Sequence, residues 1–176
     1  PKTLWSKNHP PDANNLCSWA MRCLLVEDGD RLMLIDNGLG DKQDAKFFGH
    51  YDLHGNDTLD GSLNKAGFSR DDVTDVFLTH LHFDHCGGSI VRQGEKFVPA
   101  FRNATFWSNE YHWRWATNPN PREKASFLSE NILPIQESGQ LKYVDVGRRS
   151  AEENVYLRNA LPQTDVFLGN GHTDAM

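Results

Sequence analysis

The sequence predicts a single α/β domain. Three observations carry that expectation. Segments with the two-residue alternation of strands and segments with helical spacing follow one another along the chain. Turn residues separate them: Asp28-Gly29, Gly38, Gly40 and Gly67 among others. Hydrophobic residues make up 38% of the 176, enough for one sizeable core.

Taken in order, residues 16–36, "LCSWAMRCLLVEDGDRLMLID", read as two strands joined by a turn at Asp28-Gly29, because Asp-Gly between apolar runs is a hairpin signal. The second strand runs into a glycine loop, "LIDNGLG". In "DTLDGSLNKAGF", Leu59, Leu63 and Ala66 fall at helical spacing and Gly67 supplies the stop. "SRDD" has the pattern of a capping box at a helix start. "VTDVFLTH" is a short β-branched strand. "ATFWS" is a strand and "NEYHWRWA" a short helix. "PREKASFLSENIL" is a helix with Pro121 in its first turn. "GQLKYVDV" and "TDVFLGNG" are strands. Internal repeats and low-complexity segments are absent from the sequence.

The overall balance excludes several classes of function. A formal net charge of -6 leaves no basic footprint for nucleic acid. No apolar run approaches the roughly 20 residues of a membrane span. The N-terminal "PKTLWSKNHPPDANN" is polar, Pro-rich and without a signal-peptide core. Cys17, Cys23 and Cys86 are few, odd in number and not spaced as CxxC, which argues against a disulfide framework and a thiolate zinc site. A cytoplasmic location follows as the expectation. Cys86 reads as a small packing residue.

The chemistry concentrates in "DVFLTHLHFDHCGG", residues 75–88. His80, His82, Asp84 and His85 crowd into six positions just after a strand, where a rigid frame aims side chains at one place. Imidazole and carboxylate are the donors that borderline divalent metals prefer. In an extended segment His80 and His82 point to the same side and can grip one ion. Asp84 and His85 lie within reach of a second. Gly87 and Gly88 let the backbone turn and start a helix without side chains crowding the metals.

The HxHxDH pattern after a strand ending in Thr, followed by GG, resembles the metallo-β-lactamase superfamily. "THLHFDHCGG" looks most like its N-acyl homoserine lactonase and organophosphate hydrolase-like branch. The resemblance covers most of the chain: "LIDNGLG" matches a strand ending in Asp before a Gly loop, "AGFSRDDVTDVFLTH" a helix-to-strand approach, and "GNGHTDAM" the next metal-binding loop.

That resemblance implies an αββα sandwich, with this chain supplying the N-terminal half and part of the second half. It implies a dinuclear site, two divalent metal ions with zinc foremost, and hydrolysis of a lactone, ester or related bond in a small-molecule substrate by a metal-activated water. His80, His82 and His172 correspond to the ligands of the first ion, and Asp84 and His85 to ligands of the second. Asp36 corresponds to a carboxylate that orients the histidine loop from behind. Asp84 would also serve catalysis by holding the water and protonating the leaving group. His9, His50, His54 and His112 match nothing in the pattern.

In the family the pattern continues past the Gly-His-Thr loop with an Asp bridging both metals and a final His. Residues 1–176 are therefore expected to form one domain that is incomplete at its C-terminal end, with the remainder supplied by a continuation or a second chain. Other activities on the same fold are an RNase Z-type nuclease, a mononuclear-iron persulfide dioxygenase and a non-catalytic binding module. For the walls of the site, Trp107, Tyr111 and Trp115 recur every four residues beside Trp113, as a helical stripe that either packs in the core or lines the site. Phe47, Phe48 and Tyr51 are candidates for the opposite wall.

Overall fold

The computed structural model describes residues 2–148 and 153–176. A short helix α1 (Lys2–Trp5) precedes the hairpin of β1 (Leu24–Asp28) and β2 (Arg31–Ile35). Asp28 pairs with Arg31, so Gly29 and Asp30 form a two-residue loop, and Gly29 supplies its positive φ of 61°. Strand structure predicted from residue 16 begins only at Leu24. The reason lies in the partner: Leu24 pairs with Ile35, and at Asp36 the backbone turns left-handed (φ 56°), which leaves nothing for residues 16–23 to pair with.

Two helices follow, α2 (Ala45–Phe48), capped by Asp44, and α3 (Leu59–Lys65), capped by the Thr58 hydroxyl and ended by Gly67 at φ 88°. The capping box at Ser69 and Asp72 forms, but it holds one 3₁₀ turn rather than a helix. Val73, fully buried, swings extended to feed β3 (Asp75–Phe77). After β3 comes α4 (Phe83–Cys86), so the helix precedes the double glycine instead of starting at it. A hairpin of β4 (Ile90–Gln93) and β5 (Lys96–Pro99), not foreseen from the pattern, leads to β6 (Thr105–Ser108) and α5 (Glu110–Thr117). The helix expected from Pro121 starts only with α6 (Ser129–Glu137); residues 124–126 form a separate 3₁₀ turn. Strands β7 (Leu141–Tyr143), β8 (Val155–Leu161) and β9 (Thr164–Leu168) complete the order. Of these, β8 was not expected.

The central sheet has the order β1-β2-β3-β6-β7, with β1 antiparallel to β2 and every other neighbour parallel. Alternation along its strands makes two faces. Leu32, Leu34, Val76 and Phe106 join Trp113, Ile132 and Ile135 in the main core beneath the helices. Phe77 and Trp107 face the other way, into a second cluster with Val144, Val166 and Leu168 that the β8–β9 hairpin partly covers. An apolar cavity of about 340 Å³ lies between that hairpin and the sheet, lined by Met33, Ile35 and Phe77. This is a helix layer, one sheet and the beginning of a second, and it agrees with the expected N-terminal half of an αββα sandwich.

The aromatic stripe needs correction. Trp107 lies on β6, and the helix begins only at Glu110. Trp113 is buried in the core, while Trp107 and Tyr111 pack on the opposite face of the sheet. No helix among the described residues is long and apolar enough to cross a membrane.

Candidate metal centre

The parallel strands β2, β3 and β6 point their C-terminal ends to one edge of the sheet, the place where open α/β sheets bind ligands. β2 ends at Ile35, directly before Asp36, β3 leads into His80, and the loop after β9 brings in His172. The glycine loop after β2 is zipped to the histidine segment. The Asn37 amide donates to His85 O (2.9 Å), and the Gly88 amide to Gly38 O (3.1 Å). This close approach explains the double glycine. A Cβ on Gly87 would sit 2.0 Å from Leu39 O, and one on Gly88 2.2 Å from Asn37 O. Both residues serve backbone contact more than metal access.

Asp36 is the hub beneath the histidines. Its carboxylate accepts the Thr79 amide (2.9 Å) and the Thr79 hydroxyl (2.8 Å) and faces His85 Nδ1 at 2.8 Å. Thr79 Oγ1 lies 3.1 Å from His80 Nδ1. Since the hydroxyl proton goes to Asp36, its oxygen accepts from His80 Nδ1–H, and the lone pair of His80 is left on Nε2. That Nε2 is buried and has no hydrogen-bond partner.

His80, His82 and His172 form one cluster, each offering a ligand atom, with these atoms all within 4.8 Å of one another. His82 Nδ1 lies 3.2 Å from His172 Nε2. A tetrahedral ion holding nitrogens at about 2.0–2.1 Å places them about 3.3 Å apart, so the spacing fits. His80 and His82 are buried, whereas His172 is exposed and opens the cluster to solvent. Burial, and then the neighbouring imidazoles, push His80 down to about 2. Burial and His172 lower His82 as well. The rings of His80 and His82 are therefore neutral, with lone pairs available to a cation. An unpartnered buried Nε2 and three convergent imidazoles fit a divalent metal.

Asp84 and His85 stand beside the cluster as a pair, with Asp84 Oδ2 3.7 Å from His85 Nε2. Ring centroids of His80 and His85 are 4.0 Å apart. The hydrogen bond to Asp36 raises the His85 pKa and leaves Nε2 as its outward donor. Among the described residues a second ion would meet these two side chains.

Three residues near the cluster were not assigned a role from the sequence. Thr79 transmits the Asp36 carboxylate to His80. His112, fully buried on α5, accepts the Leu81 amide at Nε2 (2.9 Å) and donates from Nδ1 to Asp174 O (2.6 Å). It thus ties the two ligand-bearing loops together, and burial pushes its pKa down to about 4. Glu123 lies in the turn after α5, with Oε2 4.0 Å from His82 Nε2. None of the three carries a local sequence signal for these contacts. Of the other histidines, His54 bonds Ser18 Oγ and Asp52 O, and His9 stacks on Trp19. Cys86 is buried, its thiol pushed up to about 12 by burial, and it donates to Leu81 O, as a packing residue does. One wall beside the cluster is aromatic: Phe47 and Tyr51 pack on Phe83 at 5.3 and 5.2 Å between centroids, and Phe48 packs on Phe47 at 5.6 Å.

Residues 22–172 match the profile of the Metallo-beta-lactamase superfamily. No curated protein matches the chain significantly. Solved structures do. A probable metal-dependent hydrolase from Staphylococcus aureus aligns over 81% of this chain and 50% of its own, with TM-score 0.71 and 25% identity. AidC, a dizinc quorum-quenching lactonase, aligns over 87% and 49%, with TM-score 0.59 and 26% identity. An N-acyl homoserine lactone hydrolase aligns over 87% and 54%, with TM-score 0.57; at 21% identity it bears on the fold alone. The chain spans about half the length of these structures.

Proposed function

The chain belongs to the metallo-beta-lactamase superfamily, and on that premise we propose that it is the metal-binding part of a hydrolase acting on a lactone or ester with an apolar acyl group. The observation that carries this reading is the convergence of His80, His82 and His172 beside Asp84 and His85. Imidazoles and one carboxylate suit zinc. His80, His82 and His172 would hold the first ion, and Asp84 and His85 would contribute to a second. When bound, such ions supply Lewis-acid polarisation of a carbonyl and lower the pKa of water.

The protein's own groups do the rest. Asp36 and Thr79 fix the tautomers of His85 and His80 before any substrate arrives. Asp84, half-exposed, is placed to take a proton from water and return it to the leaving oxygen. Phe47, Tyr51 and Phe83 offer an apolar surface to an acyl chain.

Two donors are fewer than the roughly three that a catalytic zinc takes from protein. The second face of the sheet is also only partly covered. Both support the reading that further polypeptide, as a continuation or a second chain, completes the site. The described cysteines are unpaired, which suits a reducing compartment such as the cytoplasm.

The test is zinc loading followed by assay against N-acyl homoserine lactones and aryl esters. Chelator-sensitive hydrolysis that favours longer acyl chains is expected. Zinc bound at the cluster with no hydrolysis of either class, in a protein carrying the complete domain, would overturn the assignment.

A further inference from the structure

His82 differs from its neighbours in one respect. The non-ligand nitrogen of His80 is matched by Thr79, and that of His85 by Asp36. If Nδ1 of His82 faces the ion along with His172 Nε2, its own non-ligand atom is Nε2. That atom is buried and has no hydrogen-bond partner. Four ångströms away stands Oε2 of Glu123, on a side chain only 15% exposed.

Glu123 is held there from two sides. Its Oε2 accepts Trp115 Nε1 (2.9 Å) and the Thr173 hydroxyl (2.8 Å). Thr173 follows His172 directly, so one carboxylate oxygen is bonded to the His172 loop and stands 4.0 Å from His82. Trp115 anchors it to α5, and its own amide is tied to Asn120 O and Oδ1 (3.2 and 3.0 Å). A carboxylate this enclosed has a use for a further donor, and a buried imidazole N–H has a use for an acceptor.

We infer that Glu123 is a positioning residue: it draws the proton of His82 to Nε2 and so presents Nδ1 to the metal beside His172. The inference rests on reading His80, His82 and His172 as ligands. At 4.0 Å the contact is electrostatic, and a small rotation of the imidazole closes it to a hydrogen bond once Nδ1 is engaged. The effect is directional. A carboxylate behind the ring favours one tautomer and makes the opposite nitrogen a better donor.

The experiment compares the full chain with Glu123→Gln and Trp115→Phe. Glutamine keeps an acceptor for Trp115 and Thr173 but loses the charge. Phenylalanine removes one bond to Glu123 and keeps the charge beside His82. Zinc affinity is read by chelator competition, and the His82 tautomer of the metal-free protein by long-range ¹H–¹⁵N NMR. Expected are an Nε2–H tautomer in the parent, a roughly 10–100-fold loss of zinc affinity with mixed tautomers in Glu123→Gln, and affinity within about threefold of the parent in Trp115→Phe. Zinc affinity unchanged in Glu123→Gln, equal losses in both variants, or an Nδ1–H tautomer in the parent would each overturn the inference and leave the metal centre standing. A parent that binds no zinc removes the metal centre itself, and this inference with it.

Discussion

Nδ1 of His82 and Nε2 of His172 face each other across 3.2 Å, although 90 residues separate them in the chain. Two imidazoles brought this close need a proton or a cation between them. Burial lowers His82 and disfavours a charged ring. A neutral N–H of one ring can bridge the pair as a hydrogen bond; in the proposed site a metal ion would take both lone pairs instead.

His82→Ala and His172→Ala are each expected to weaken zinc binding by about 100-fold or more, since each removes one of the three donors of the proposed site. Far-UV circular dichroism should stay close to that of the parent, because both residues lie at loop positions. Chelator competition measures the effect; one tightly bound zinc retained in His82→Ala is the contrary result.

Asp36→Asn tests the hub. The substitution weakens the hydrogen bond and removes the charge by which Asp36 raises the His85 pKa, so that pKa should fall, as NMR titration of the metal-free protein will report. Zinc affinity should drop about 10–100-fold, because Thr79 and His85 lose their orienting partner.

His112 makes a prediction about acid stability. Burial holds it near 4 in the folded chain, whereas an unfolded histidine titrates near 6.5. The unfolded state therefore binds this proton first. The stability His112 contributes is complete above about pH 6.5 and drains as pH falls toward 4, by on the order of 3 kcal/mol. His85, raised by Asp36, works in the opposite sense: its share is complete below about 6.5 and is lost as pH rises through its folded value. In urea unfolding of metal-free protein between pH 7 and 5, His112→Phe should take up about one proton fewer on unfolding. It should also cost about 2–4 kcal/mol at pH 7, because the Leu81 amide and Asp174 carbonyl lose their partner. An unchanged pH slope is the contrary outcome.

The glycine contact is sharper still. A Cβ at Gly88 would lie 2.2 Å from Asn37 O, so Gly88→Ala should cost more than about 3 kcal/mol or prevent folding. At Gly169 the added carbon meets only Phe167, at 3.7 Å, and Gly169→Ala should stay within about 1 kcal/mol. Thermal unfolding of the pair decides it; equal melting temperatures would remove the close approach as the reason for the double glycine.

The aromatic wall bears on substrate. Phe47 packs edge-on against Phe83. If this surface receives an acyl chain, Phe47→Ala should raise KM about tenfold for a long-chain lactone and leave a short-chain one nearly unaffected. Equal changes for both chain lengths would place the acyl group elsewhere.

The sequence by itself determined the donor types, their order, and the hairpin and strands that carry them. Donor chemistry and two-residue alternation are local properties. His80, His82, Asp84 and His85 sit in one short segment, and Leu34 and Val76 announce their strands without help from distant residues. Local reading failed where a distant partner decides the outcome. Residues 16–23 had strand-like composition, yet β2 ends at Ile35 and offers them no pairing. The Ser69 capping box formed, yet the burial of Val73 stopped a helix there. Trp107 kept helical spacing with Tyr111, yet pairing with Phe77 placed it on a strand.

Only the tertiary structure decided the support of the site. Nothing near His112 in sequence reveals that its ring spans Leu81 and Asp174, and nothing near Glu123 reveals His82. These groups have no local pattern, because a buried polar side chain is satisfied by whatever the fold brings to it. The chain can announce which atoms would grip a metal; which of their nitrogens face it depends on side chains that arrive from elsewhere in the chain, such as Asp36, 49 residues from His85.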